Sequence, residues 1–244
     1  MADKTQGFRK WPRLNVGVRV AVALAGGSTP AVEAALEDCS IAGLGLAGDR
    51  EALGVLLAGK NKLDRFTLLI ARGAGRWSLP VELSNWRDKG DVRRLGLRIL
   101  NVAKMLQLIV AIGEDASSDA IDAMLNERLE ISLDATLARS LPYVLVEYCS
   151  LTALGIIGDR QEFEQFPPFK KLLGRFDLHM NCRTGHWKLA VELRSSRDED
   201  ENRYLGFRVL DVKTMGRFLQ ARQALVSGFS FRRLVRSVSR LLGV

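Results

Sequence analysis

Two short groups of residues near the N-terminus have side chains suited to holding an anion. The first is Phe8-Arg9-Lys10-Trp11-Pro12-Arg13. Pro12 keeps Trp11 out of the helical region, so this arm is expected to be extended. In an extended chain Arg9 and Arg13 lie on one side, roughly 13 Å apart, and could grip two parts of one ligand. The planar guanidinium fork bonds a phosphate or a guanine edge with two hydrogen bonds, which lysine cannot do. The second group is Asp38-Cys39-Ser40-Ile41-Ala42-Gly43. Asp38 and Ser40, two apart, share a face in a strand. A carboxylate there can fix an arginine fork, a hydroxyl can donate to a phosphate or a base, and Gly43 lets a ligand or another backbone come close. Taken singly, each group also reads as ordinary structure: the arm as a solvated basic segment, and Asp-Ser-Gly as a turn.

The elements that must position these residues appear when the chain is compared with itself. Shifted by 110 residues, Ser40 onward falls on Ser150 onward without a gap. Gly48-Asp49-Arg50 matches Gly158-Asp159-Arg160, Trp77 matches Trp187, and Val81-Glu82-Leu83 matches Val191-Glu192-Leu193. Arg87-Asp88 matches Arg197-Asp198, and Leu95-Gly96 with Arg98 matches Leu205-Gly206 with Arg208. Roughly 40% of positions 40–105 are identical to their partners, far above chance for a gapless match. Two copies of one domain follow, 1–114 and 115–244.

Within a copy the period is mostly that of strands. Val16–Ala25, Phe66–Ala71, Trp77–Trp86 and Leu95–Val102 are short apolar-rich runs bounded by Gly, Asp and Asn. Each copy closes with a helical stretch, 103–112 and 213–225, and a linker helix capped by Ser117 or Ser118 is expected to run to about Leu129. Several short strands followed by one helix predict a mainly β chain of two small barrels, each with a helix.

The arginine arm, one strand's length and a loop, and then Asp38-x-Ser40-x-x-Gly43 together resemble the PilZ-domain family. The strand-rich remainder is similar as well, including Leu95-Gly96-Leu97-Arg98-Ile99 and the helix after it. The resemblance implies a six-stranded barrel that binds cyclic di-GMP, often as a stacked dimer of the nucleotide, with the arm wrapping the ligand against the barrel. It implies Arg9, Arg13, Asp38, Ser40 and Gly43 as ligand residues, and Trp86 as the bulky residue on a neighbouring strand that can stack on a guanine.

The second copy serves as an internal control. Tyr148 stands where the first copy has Asp38, Ala153 where it has Gly43 and Ser196 where it has Trp86; Ser150 alone survives from the motif. The region expected before the second copy's first strand, near Asp122 to Asn126, holds no Arg-x-x-x-Arg; Arg139 is present, but Tyr143 stands in the place of a second arginine. Shared positions such as Trp77/Trp187 and Gly96/Gly206 read as fold residues; positions lost from the second copy are the ligand candidates. Cys39 and Cys149, also shared, read as small packing residues. Glu82 and Glu192 are expected to have structural partners.

Composition narrows the remaining classes. With 47% hydrophobic and 26% charged residues a packed core is expected. The net charge of +8 favours anionic partners without choosing among them. Cys39, Cys149 and Cys182 have no metal-ligand spacing and form no even disulfide set, so a reducing, cytoplasmic setting is expected. Residues 1–7 lack the apolar stretch of a signal peptide, and 16–25 is too short for a membrane span. No cofactor, metal set, nucleophile–base pair or Walker-type loop is apparent, which argues against an enzyme.

The basic tail, 228–244, reads as a helix packed on a barrel, with a partner protein or peripheral membrane contact as its alternatives. The rival functions are a nucleic-acid-binding barrel and an adaptor without ligand. The first predicts several exposed aromatics with basic residues between them, whereas this chain has few aromatics and an acid inside its motif.

Overall fold

The structure is a computed structural model and describes residues 14–27, 30–115, 128–133, 140–164 and 175–225. The chain divides into two compact units, 1–116 and 117–244.

The first unit is a closed antiparallel barrel of six strands: β1 Leu14–Leu24, β2 Val32–Ser40, β3 Gly43–Asp49, β4 Arg65–Arg72, β5 Gly75–Lys89 and β6 Val92–Ile99. Their order around the barrel is β1-β2-β3-β6-β5-β4, and β1 closes it by pairing with β4. Closure leaves no unpaired strand edge. The second unit repeats the plan with β7 Arg128–Ser132, β8 Leu141–Cys149, β9 Ala153–Asp159, β10 Arg175–Cys182, β11 Gly185–Glu199 and β12 Asn202–Val209, closed by pairing of β10 with β7.

The described residues hold four helices. Two short ones, α1 (Arg50–Leu56) and α3 (Arg160–Glu164), lead out of β3 and β9. Two longer ones, α2 (Val102–Asp115) and α4 (212–225), follow the last strand of each barrel. Four side chains cap them at the repeat spacing. Asp49 accepts from the Ala52 amide at 2.8 Å and Asp159 from Glu162 at 2.9 Å. Asn101 accepts from Lys104 at 3.1 Å and Asp211 from Thr214 at 2.9 Å. Each satisfies an amide that the helix itself leaves open. The shared Gly-Asp-Arg sequence is therefore a capping signal, and α1 and α3 are the elements that strand periodicity alone did not suggest.

The cores are made by alternate residues. Leu36, Leu44, Leu46, Leu79, Val81, Leu83, Leu95 and Leu97 are buried inside the first barrel. The second contains Val144, Val146, Leu154, Ile156, Leu189, Val191, Leu205 and Phe207. The long helices bury equivalent side chains, Met105 and Leu108 from α2 and Met215 and Phe218 from α4. Phe218 meets the ring of Trp187 edge-on at 5.5 Å. Trp77 is half-buried on the inward row, opposite buried Ile70.

One expectation is corrected. The linker helix cannot reach Leu129, because Arg128–Ser132 is strand β7. Leu129 and Ile131 enter the second core while Glu130 between them stays half-exposed, which is the period of two of a strand. The rest of that expected helix, and the basic tail at 228–244, lie outside the described residues. Among the described residues no helix is long and apolar enough to cross a membrane.

Asp49→Ala should lower the stability of the first barrel by about 1 kcal/mol, the usual effect of losing an N-cap side chain. Chemical denaturation of the full chain, followed by tryptophan fluorescence, checks this.

Candidate functional site

A single irregularity brings Asp38 to the surface. In β2, Ala34 and Leu36 point into the barrel. Simple alternation would send Asp38 and Ser40 inward after them. Between Leu36 and Asp38 the register shifts, so that Leu36 faces Leu46 but Asp38 faces Gly45. The extra residue, Glu37, forms a β-bulge and reverses the alternation. Cys39 and Ile41 now take the core positions, while Asp38 and Ser40 join the outer face. Glu37 is tied down by Arg94, Nη2 to Oε1 at 3.0 Å. The second barrel has the same bulge between Val146 and Tyr148.

On that outer face three rows of paired residues run across the sheet. The central row reads Asn15, Asp38, Gly45, Gly96, Asn85. On one side of it lies Ser40, Gly43, Arg98, Glu82, Arg65, and on the other Ala47, Arg94, Arg87. The two glycines make a shallow groove flanked by arginines, with Asp38 and Asn85 leaning over it from either end. A Cβ on Gly45 would sit 2.9 Å from Asp38 Oδ1, and one on Gly96 would sit 2.9 Å from both amide atoms of Asn85. Each glycine thus makes room for its neighbour's polar group. Gly43 differs: a Cβ there would meet the Leu97 carbonyl oxygen at 3.5 Å, an ordinary contact. Its own fold does not require glycine at 43, and the second barrel carries Ala153 in that place.

Ser40 is buried, and its Oγ donates to the Gly43 carbonyl at 3.5 Å, a long bond across its own hairpin. The structure therefore brings Asp38, Ser40 and Gly43 together on one face. Trp86 is not on that row. It pairs with Leu95 and continues the inward row Leu36–Leu46–Leu95, because a second bulge between Leu83 and Asn85 reverses alternation in β5 as well. Its ring is 44% exposed where β5 runs on to exposed residues 87–89. Arg9 and Arg13 lie outside the described residues. Leu14, the first described residue, pairs with Cys39, between Asp38 and Ser40. One peptide bond, about 3.8 Å between Cα atoms, therefore joins residue 13 to a position directly beside the motif.

The electrostatics of the face are settled by pairing. Glu82 accepts from Arg98 at 2.9 Å and 3.1 Å and from Arg65 at 3.2 Å. The Arg98 hydrogen bonds, more than offsetting burial and helped by Arg65, hold the Glu82 carboxyl below its ordinary value. Asp88 receives both arms of Arg93, at 2.7 and 2.8 Å, and Asp198 receives Arg203 with the same distances. This shared clamp braces the β5–β6 and β11–β12 hairpins. Burial, and the Asp38 carboxylate beside it, push the Cys39 thiol up to about 12, so it is no nucleophile at neutral pH. Cys149 is only partly buried, and Arg222 donates to its sulfur at 3.1 Å.

In the second barrel aromatic rings lie on the equivalent rows. Tyr148 lies over Gly155, where any Cβ would overlap its ring, and its hydroxyl would be 2.9 Å from a Cβ on Gly206. Tyr204 stands where the first barrel has Arg94, with the Arg197 guanidinium stacked 4.4 Å from its centroid. The groove that is open in the first barrel is filled here by the chain's own side chains. Sequence reasoning did not find Asn85, Arg94 or Arg98 as members of the face. The alternation Arg94-x-Gly96-x-Arg98 was the available signal.

A scan against protein-family models found no match, and a search of curated proteins found none either. A search of solved structures found likenesses. One is Escherichia coli YcgR in complex with c-di-GMP, at 14% identity and a TM-score of 0.27, covering 93% of this chain and 88% of that one. Another is PlzA of Borreliella burgdorferi in complex with c-di-GMP, at 14% and 0.27, covering 81% and 82%. A third, the PilZ domain of E. coli YcgR with c-di-GMP, reaches 20% and 0.33 over 44% of this chain and 93% of that one. At such identities and scores no residue's role is carried across.

Gly155→Ala should destabilise the second barrel by about 1–3 kcal/mol, because the added methyl meets a ring. Gly45→Ala in the first barrel should have a smaller effect, because it displaces only a carboxylate tip. Paired thermal melts test the contrast. The Glu82 carboxyl, lowered in the folded state, adds stability that is fully present above its unfolded value and is lost as pH falls through its lower folded value. Denaturation midpoints of Glu82→Gln and the parent chain should therefore differ at neutral pH and converge in acid below the ordinary carboxylate range.

Proposed function

We propose that the protein is a non-enzymatic receptor for cyclic di-GMP, with its ligand site on the outer face of the first barrel. In this reading residues 1–114 form the ligand-binding domain, and 115–244 form a domain of the same fold that has lost the site. The observation that carries the reading is the convergence at the start of β1. Leu14 lies against the Asp38–Ser40 segment, so β1, which follows the Arg9/Arg13 motif in sequence, begins beside the acid, hydroxyl and glycine of the second motif.

The chemistry fits a flat, doubly anionic ligand. Arg9 and Arg13 supply forks for phosphates or a guanine edge. Asp38 orients an arginine fork, and Ser40 and Gly43 leave a smooth approach to the hairpin. Arg94 and Arg98, each paired with an acid, flank the glycine groove with further guanidinium forks. Trp86, at the end of the barrel, offers a face on which a base can stack. A stacked dimer of the nucleotide would fill a longer stretch of this surface than a single copy. Filling of the equivalent groove by Tyr148 and Tyr204 supports the absence of a second site. Closure of the arm over the ligand would change the surface presented to a downstream protein, and that is the proposed output.

The full-length protein should bind cyclic di-GMP at the first barrel only, by isothermal titration. Arg9→Ala or Arg13→Ala should each weaken binding roughly tenfold or more, since bonds to charged groups contribute about 1.5–3 kcal/mol. Trp86→Ala should cost about 1–3 kcal/mol if the ring stacks on a base. Unchanged affinity in the Arg9/Arg13 double variant would overturn the assignment of the arm.

A further inference from the structure

The chain contains two histidines, and they meet. His179 lies in β10 and His186 in β11, and their first-barrel counterparts are Leu69 and Arg76. The pair therefore belongs to the second barrel alone. His179 Nδ1 lies 3.4 Å from His186 Nε2. The ring planes are tilted by 38°, with centroids 5.5 Å apart. His179 is buried, whereas His186 is exposed and open to a solute.

A polar relay fixes which nitrogen of His186 faces its partner. Ser140 Oγ donates to Glu130 Oε1. Glu130 Oε2 accepts from Asn181 Nδ2 at 3.5 Å, which turns the amide oxygen of Asn181 the other way, towards His186 Nδ1 at 2.7 Å. An amide oxygen only accepts, so Nδ1 carries the proton and Nε2 presents a lone pair to His179. A separation of 3.4 Å is long for an N–H···N bond, which prefers about 2.7–3.2 Å. It matches two nitrogens on one tetrahedral ion, which lie about 3.3–3.4 Å apart when each bond is 2.0–2.1 Å. A ring N–H held by a carbonyl is also the usual support of a metal-binding histidine.

We propose that His179 Nδ1 and His186 Nε2 form a two-nitrogen site for an imidazole-preferring divalent cation such as Zn2+, oriented by Asn181 and Glu130. Among the described residues no group of three or more His, Cys, Asp or Glu side chains could hold a metal, so the two imidazoles are the protein ligands proposed and water would supply the rest. Glu130 adds negative charge to the relay. Of the nearby cations, Lys188, which pairs with His179 across the strands, is engaged by Asp177 at 2.8 Å, while Arg128 and Arg183 line the cavity beside Glu130 and Asn181. The ion would cross-link β10 and β11 outside the core.

The test is titration of zinc chloride into chelator-treated, full-length protein without a polyhistidine tag. The structure predicts one saturable equivalent. His186→Gln, a change at an exposed position, should weaken it at least tenfold, and Asn181→Ala roughly tenfold. Copper(II) in place of zinc should show coupling to two nitrogens by electron paramagnetic resonance, reduced to one in His186→Gln. No saturable binding by the parent chain, or equal zinc affinity in His186→Gln, would overturn the proposal and leave the two rings as a simple hydrogen-bonded pair.

Discussion

The place of Asp38 and Ser40 on the outer face of the first barrel depends on one extra residue. A β-strand assigns its side chains to alternate faces, and a closed barrel gives those faces opposite characters, apolar inside and solvated outside. Ala34 and Leu36 commit the first part of β2 to one parity, and Cys39 and Ile41 commit its end to the other. The bulge at Glu37 reconciles them. Without it Asp38 and Ser40 would enter a core that has no place for a carboxylate. The ion pair of Glu37 with Arg94 holds this bulge from outside.

The glycines follow from the same geometry. Once Asp38 is turned outward its carboxylate lies across β3, and Gly45 is the residue that permits it. In β6 Gly96 permits Asn85 in the same way. In the second barrel Gly155 makes room for the ring of Tyr148, and Gly206 for the hydroxyls of Ser195 and Tyr148. Identity between the copies at these positions thus reflects a shared need for space: for a polar side chain at Gly96 and Gly206, and for a carboxylate at Gly45 but an aromatic ring at Gly155. The shared caps and the Asp88–Arg93 and Asp198–Arg203 clamps likewise concern the frame.

Much of this was legible in the sequence. The repeat, the strand runs and the closing helices follow from spacing and apolar period, and both barrels have six strands and a helix after the last. Pairing of Glu82 with Arg98 and Arg65 follows the expectation that recurrent acids have partners. What stayed hidden depends on register. A bulge breaks the period of two at a single residue, and in a lone sequence the stretch around Glu37 looks like a turn. The bulge after Leu83 likewise puts Trp86 on a different row from Asp38, where unbroken alternation would put the two on one face. Asn85, Arg94 and Arg98 join the face of Asp38 only through pairing across four strands, which no local pattern records. At Leu129 the short alternating run was too close to a capping serine to be told from helix, and the pairing of β7 with β8 decides it.

The bulge also separates two kinds of constraint. Residues facing inward answer to packing, and those facing outward on the central rows answer only to what they touch. After a duplication, the outer set can drift without unfolding the domain. The second barrel illustrates this: Tyr148 and Tyr204 replace Asp38 and Arg94 while Leu154, Ile156, Leu205 and Phe207 still fill the interior. Such a layout lets the outer rows change character while the scaffold is kept, so either copy is a folded surface on which selection can act separately from the core.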